Sequence, residues 1–330
     1  MKVRIGVIHD KLKFDAKRSN AKKLNEQVRR LVDEYSVDVV VLPPYSFYGP
    51  LSVYDESRVK RIAWSNAERI TVGPTKAKQG NITSLLIKWS FEYGVYLIGG
   101  PIIERAGPRI YLTAVVTSPR GTVIGKHRKV LLNGVEESIG ISPGRFSGVV
   151  KLDRFDLTIA LFMDEDILMS DLFKLARLSA TNIVIGLMMP QTASAIPVER
   201  GKNGVLSYKK DVIFSLAIAR SVETGIPIMI AGGAIETEEG YEMMASYTIP
   251  VEPDVGVIED KVKYLDELGV PLVLEVDSVA SRPKLIGIAD FLLAKEVCKC
   301  MDKLAESLME ETSSEREDKE ERKRYGALLG

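Results

Sequence analysis

Apolar and polar residues fall in blocks whose spacing switches between that of strands and that of helices. Val3 to Ile8 is an apolar run of strand length. From Asn20 to Glu34, Leu24, Val28, Leu31 and Val32 recur at three- and four-residue steps with charge between them, which predicts a helix. Val39-Val40-Val41-Leu42 is apolar on both faces and is stopped by Pro43-Pro44. Such a strand belongs in the middle of a sheet covered by helices. Residues 51–80 read as polar and irregular, with Gly73-Pro74 and Gln79-Gly80 as turn signals. A second helix is predicted from Thr83 to Tyr93, then a strand from Val95 to Ile98 ending in Gly99-Gly100.

Beyond residue 100 the pattern brings in hairpins. Tyr111 to Thr117 and Gly121 to Gly125 are separated by a Pro-Arg-Gly turn. Leu157 to Met163 reads as a buried strand, Leu168 to Ala180 as a helix and Asn182 to Leu187 as a strand. Lys210 to Thr224 is a helix and Ile226 to Ala231 a strand that ends in Gly232-Gly233. Met243 to Pro250 and Leu272 to Val276 are late strands. Strand–helix units interleaved with hairpins suggest two mixed sheets packed face to face with helices outside, an α/β arrangement in four layers. The pattern alone also allows a plain doubly wound sheet. The chain divides into a domain at 1–285 and a helical, highly charged tail at 286–330. Within the tail, Phe291, Leu292, Val297, Met301, Leu304 and Leu308 keep a helical spacing that could dock a partner protein, and 310–324 are almost entirely charged or polar.

Composition narrows the function classes. Forty-five basic and 45 acidic side chains balance, which argues against non-specific nucleic-acid binding. The only two cysteines, Cys298 and Cys300, lie in the tail, one residue apart, and form no disulfide framework. Neither they nor His9 and His127 have spacing that supplies a metal site, so no metal or cofactor is expected. No apolar run approaches the roughly 20 residues of a membrane span, and a strand pattern begins at Lys2 where a leader would stand. The expectation is a soluble, cytoplasmic protein.

Several separated segments together resemble the nitrilase superfamily of carbon–nitrogen hydrolases. Val39-Val40-Val41-Leu42-Pro43 resembles the strand that ends in the family's Leu-Pro-Glu, and Ile98-Gly99-Gly100 the strand before its hairpin. Gly125-Lys126-His127-Arg128-Lys129-Val130-Leu131-Leu132 is similar to its Tyr-Arg-Lys-x-His-Leu segment, with Ser142-Pro143-Gly144 after it. Leu161-Phe162-Met163-Asp164 resembles Ile-Cys-Tyr-Asp, and Ala219 to Gly225 the end of a family helix. The resemblance implies a four-layer α-β-β-α sandwich. It also implies a mechanism in which a cysteine thiolate attacks a nitrile or amide carbon, a glutamate moves protons and a lysine stabilises the tetrahedral intermediate.

Carried over by position, the lysine is Lys129, the glutamate falls on Pro44 and the cysteine on Phe162. A second pocket acid falls on Glu136 or Glu137. Neither proline nor phenylalanine can perform the chemistry, and loss of a nucleophile costs on the order of 10⁶ in turnover. The first expectation is therefore a catalytically inactive binding or scaffold protein, with Phe162 filling part of the pocket. A second is an amidase-type hydrolase with chemistry rebuilt on Lys129, Asp164 and Glu165. A third is an interaction subunit acting through residues 289–330. The resemblance also implies a homodimer or larger assembly, through Leu168 to Ala180 and the tail.

Overall fold

The computed structural model describes residues 1–278, apart from 52–55, 76–77, 146–147, 192–193, 201–205, 238–239, 253–255 and 258–260. The described residues belong to one compact unit. The helical stripe at 289–309, both cysteines and the charged run at 310–324 lie outside the described residues.

Two six-stranded mixed sheets organise the unit. The first runs, edge to edge, through Leu272–Asp277, Lys2–Val7, Val39–Val41, Tyr96–Ala106, Arg109–Ser118 and Thr122–Arg128. The second runs through Lys263–Leu265, Ser246–Ile249, Ile228–Ala231, Ile183–Leu187, Leu157–Met163 and Val149–Leu152. Their facing side chains form a single apolar cluster. Val3, Ile5, Val39, Val41 and Ile98 from the first sheet share it with Ile159, Leu161, Met163, Ile185 and Met229 from the second. Strand alternation sends the intervening residues outward. There they meet α1 (Lys17–Tyr35) and α3 (Asn81–Tyr93), or α5 (Ser170–Leu178) and α6 (Lys210–Thr224), the last two separated from the others in sequence by the short α4 (Gly134–Ser138).

Three features differ from the sequence reading. The stretch 51–80 contains α2 (Glu56–Asn66), which buries Val59 and Ala63. Its apolar stripe is too short to stand out among charged neighbours. The strand Tyr96–Ala106 does not end at Gly99-Gly100. It continues as an 11-residue strand across a register shift between Gly99 and Ile102. Gly100, at φ 149°, permits this because a side chain there would strike the backbone at Thr113 and Ala114. Gly232-Gly233 likewise passes into another strand, Gly233–Thr237. That strand joins Lys11–Lys13, Gly240–Met244, Leu206–Tyr208 and Val198–Arg200 in a five-stranded sheet that the sequence reading did not anticipate.

Candidate functional site

Lys129 immediately follows the strand Thr122–Arg128 and is 1% exposed. An ammonium so buried must be paired. Its Nζ lies 2.7 Å from each carboxylate oxygen of Glu136, 2.6 Å from Glu165 Oε2 and 3.8 Å from Asp164 Oδ2. All three acids are fully buried.

The sequence left Glu136 and Glu137 as alternatives, and the structure brings only Glu136 to Lys129; Glu137 is exposed. The reason is local. Asn133 caps α4, accepting from the backbone N–H groups of Val135 and Glu136, while Glu136 Oε2 accepts from the Asn133 N–H. This reciprocal box fixes the Glu136 carboxylate where the lysine meets it.

Asp164 stands at the corner where the strand Leu157–Met163 turns into a 3₁₀ segment, Asp164–Leu168. Its φ is 42°, a left-handed value rarely held by a non-glycine residue. Oδ1 accepts from the Met189 N–H at 2.8 Å. Oδ2 accepts from the Tyr45 hydroxyl at 2.6 Å and from Gln191 Nε2 at 3.4 Å. Gln191 Nε2 also donates to the Tyr45 oxygen, and Asn133 Nδ2 donates to Gln191 Oε1. Tyr45 directly follows Pro44, which is buried and offers no proton-transfer group. Tyr45, Asn133 and Gln191 were not singled out from the sequence. The Asn133-x-x-Glu136 spacing is a capping signature and could have identified the first pair.

Electrostatics set the protonation of the cluster. Three carboxyls surround one ammonium. Burial drives the Asp164 carboxyl up to about 8, against the pull of Lys129 and with the push of Glu165. Glu136 is also raised, by burial first, with Lys129 opposing. Burial alone would lower Lys129, but the combined fields of Glu136, Asp164 and Glu165 overcome it and raise it. Asp164 therefore retains its proton at neutral pH, which relieves the excess negative charge.

Phe162 does not fill this cluster. Alternation places Leu161 and Met163 between the sheets and turns Phe162 outward, where its ring meets Phe173 of α5 at 5.3 Å between centroids. Gly186 on the neighbouring strand leaves room for the ring, since a Cβ at that position would collide with it.

A second set of contacts holds the chain around Lys129. Asp166 Oδ1 accepts from the Val130 and Leu131 N–H groups at 2.9 Å each, and Oδ2 from Met163 N–H at 3.1 Å. His127 Nε2 lies 2.8 Å from Asp166 Oδ2, both side chains being fully buried. Asp166 thus satisfies most of the backbone at the strand end, and Asp164 is left to face the lysine. Among the described residues, no group of three or more His, Cys, Asp or Glu side chains is placed to hold a metal ion, and no helix is long and apolar enough to cross a membrane.

The family comparison agrees with this architecture. Residues 11–259 match the carbon–nitrogen hydrolase family, and the chain belongs to it. Nit3 of Saccharomyces cerevisiae, a member of branch 10 of the nitrilase superfamily, superposes with a TM-score of 0.64 at 17% identity, over 85% of this chain and 92% of Nit3. An amidase from Nesterenkonia sp. AN1, which carries an active-site cysteine, gives 0.62 at 17% identity over 84% of this chain and 92% of its own. These likenesses define the fold alone. A 73-residue stretch is 40% identical to omega-amidase NIT2-B of Xenopus laevis and 36% identical to human omega-amidase NIT2. That stretch covers 20% of this chain and 26% of either relative.

Proposed function

We propose that this chain is a carbon–nitrogen hydrolase relative that works without thiol chemistry, as a binding or scaffold protein on a four-layer nitrilase-type frame. The observation that carries this reading is the identity of the group facing Lys129. Asp164, not a cysteine, occupies the strained strand-end corner beside the lysine, and every thiol of the chain lies at residue 298 or beyond. On this reading Asp164, rather than Phe162, stands where the family places its nucleophile, and Pro44 replaces the proton-transferring glutamate. Asp164 is a poor substitute for a thiolate. It is held neutral by its surroundings, and both its oxygens already accept hydrogen bonds. Lys129 is equally committed: its ammonium donates to both oxygens of Glu136 at 2.7 Å and forms an ion pair with Glu165 Oε2 at 2.6 Å.

The experiment is ammonia release from amides, nitriles and N-carbamoyl compounds, with a folded Lys129→Met variant as the control. Wild type and variant give the same background. Release that disappears in Lys129→Met overturns the proposal.

One observation favours a second reading, an amidase-type hydrolase with rebuilt chemistry. A carboxyl that changes protonation at about pH 8 beside a lysine can relay a proton to or from a water. This reading requires Lys129-dependent turnover whose pH profile breaks near 8 and loses that break in Asp164→Asn.

A further inference from the structure

A cavity of about 550 Å³ on the other face of the strand Thr122–Arg128 is lined by Arg69, Arg105, Lys126 and Arg128 around a single carboxylate, Glu104. We infer that it is a binding site for a small molecule bearing a phosphate or pyrophosphate group, and that it is separate from the Lys129 cluster. This inference goes beyond the proposed function and holds whether or not Lys129 supports turnover.

Charge is the first ground. Four cations and one acid leave three positive charges in excess around the cavity. Glu104 is 1% exposed and fully occupied. Arg128 donates to both its oxygens at 2.9 and 2.8 Å, Lys126 to one and the Thr113 hydroxyl to the other. Burial works to raise its pKa, but the Arg128 and Lys126 hydrogen bonds prevail and lower it, so it stays ionised. It therefore serves to orient two of the cations and has no capacity for the others. Arg69 and Arg105 are exposed, and no carboxylate pairs with either among the described residues.

Rigidity is the second ground. The segment carrying Arg69 is bonded to the strand carrying Arg105, Glu68 N–H to Ile103 O at 2.9 Å and Arg105 N–H to Glu68 O at 2.8 Å. Lys126 Nζ ties the same segment down at Ile70 O. The Arg128 guanidinium lies 3.9 Å from the centre of the Tyr111 ring, and that of Arg105 lies 6.0 Å from the Trp64 ring. The backbone carrying Arg69 and Arg105 is thus held in place beside the cavity, and guanidinium forks match the multiple oxygens of a phosphate.

Alternation is the third ground. Lys126 and Arg128 reach this cavity, while His127 and Lys129 on the same stretch point to the buried cluster. A ligand here would not touch Lys129.

Calorimetric titration of the full chain with inorganic pyrophosphate at about 0.1 M salt tests the inference, with citrate and a short single-stranded RNA run alongside. Saturable one-to-one binding is expected, weakened at least tenfold in the Arg69→Gln/Arg105→Gln variant. Both side chains are exposed, so an unchanged melting temperature confirms that the variant is folded. Lys126→Met, tested alone, gives a second, smaller loss. Absence of saturable pyrophosphate binding overturns the inference, as does equal binding by the double variant, or binding of citrate or RNA in its place.

Discussion

At the residue scale, the decisive fact is the company kept by one lysine. Removing its charge leaves the buried Glu136 and Glu165 without a counterion, so Lys129→Met lowers stability by about 3–5 kcal/mol in chemical denaturation. Glu137→Gln, a few residues away and exposed, changes it by less than about 0.5 kcal/mol. Asp164 gives a pH signature. Its carboxyl binds a proton more tightly in the folded chain, at about 8, than in the unfolded chain, near 3.8. The stabilisation this provides is fully present below about pH 4 and is lost as pH rises towards 8. Asp164→Asn should therefore gain melting temperature relative to wild type as pH increases across that window. A difference that stays constant from pH 4 to 8 would contradict the assignment. His9, lowered to about 4 by burial, acts in the opposite direction below its normal range, but it is common to both proteins and cancels in the comparison. Lys129 was legible in the sequence because the basic run 126–129 and the apolar residues after it form a recognisable segment. The acid facing it was less so. Asp164, Glu165 and Asp166 are consecutive, and only the backbone turn at φ 42° decides which of them meets the lysine and which binds the backbone.

At the element scale, the strand Leu157–Met163 and helix α5 show what periodicity can and cannot settle. The strand was legible from its apolar run from Ile159 to Met163, and that same lack of alternation concealed which face Phe162 takes. Its ring packs against Phe173, and Gly186 is the residue that makes space for it. Gly186→Ala should cost about 1–3 kcal/mol by overpacking, and Phe162→Ala about 3–5 kcal/mol by leaving a cavity. Neither should alter the pH dependence assigned to Asp164, because the ring packs on Phe173 and takes no part in the contacts of Asp164 with Tyr45, Met189, Gln191 and Lys129. Thermal melts of both variants at pH 5 and pH 8 check this. A Phe162→Ala variant with a changed pH slope would place the ring in the charged cluster after all. The helix reading Leu168 to Ala180 holds in substance as α5, Ser170–Leu178. Leu168, the first residue of that reading, instead closes the preceding 3₁₀ segment, Asp164–Leu168, whose buried acids face Lys129 and the backbone.

At the scale of the whole molecule, the two mixed sheets were legible because the central strands, such as Val39–Val41, Ile183–Leu187 and Ile228–Ala231, are apolar on both faces. The five-stranded sheet was not, because its strands are short and come from distant parts of the chain. We also propose that the molecule self-associates through α5 and α6, where Leu175 and Val222 are 38% and 65% exposed. A Leu175→Glu/Val222→Glu variant should then halve the mass seen by light scattering, and a wild-type monomer would refute the proposal. The measurement that bears most directly on the account is ammonia release by wild type, Lys129→Met and Asp164→Asn, side by side from pH 6 to 9 on a mixed panel of amides and nitriles. The account predicts three indistinguishable backgrounds at every pH. Release by wild type that vanishes in both folded variants would show that the Lys129 cluster performs chemistry, and would contradict it.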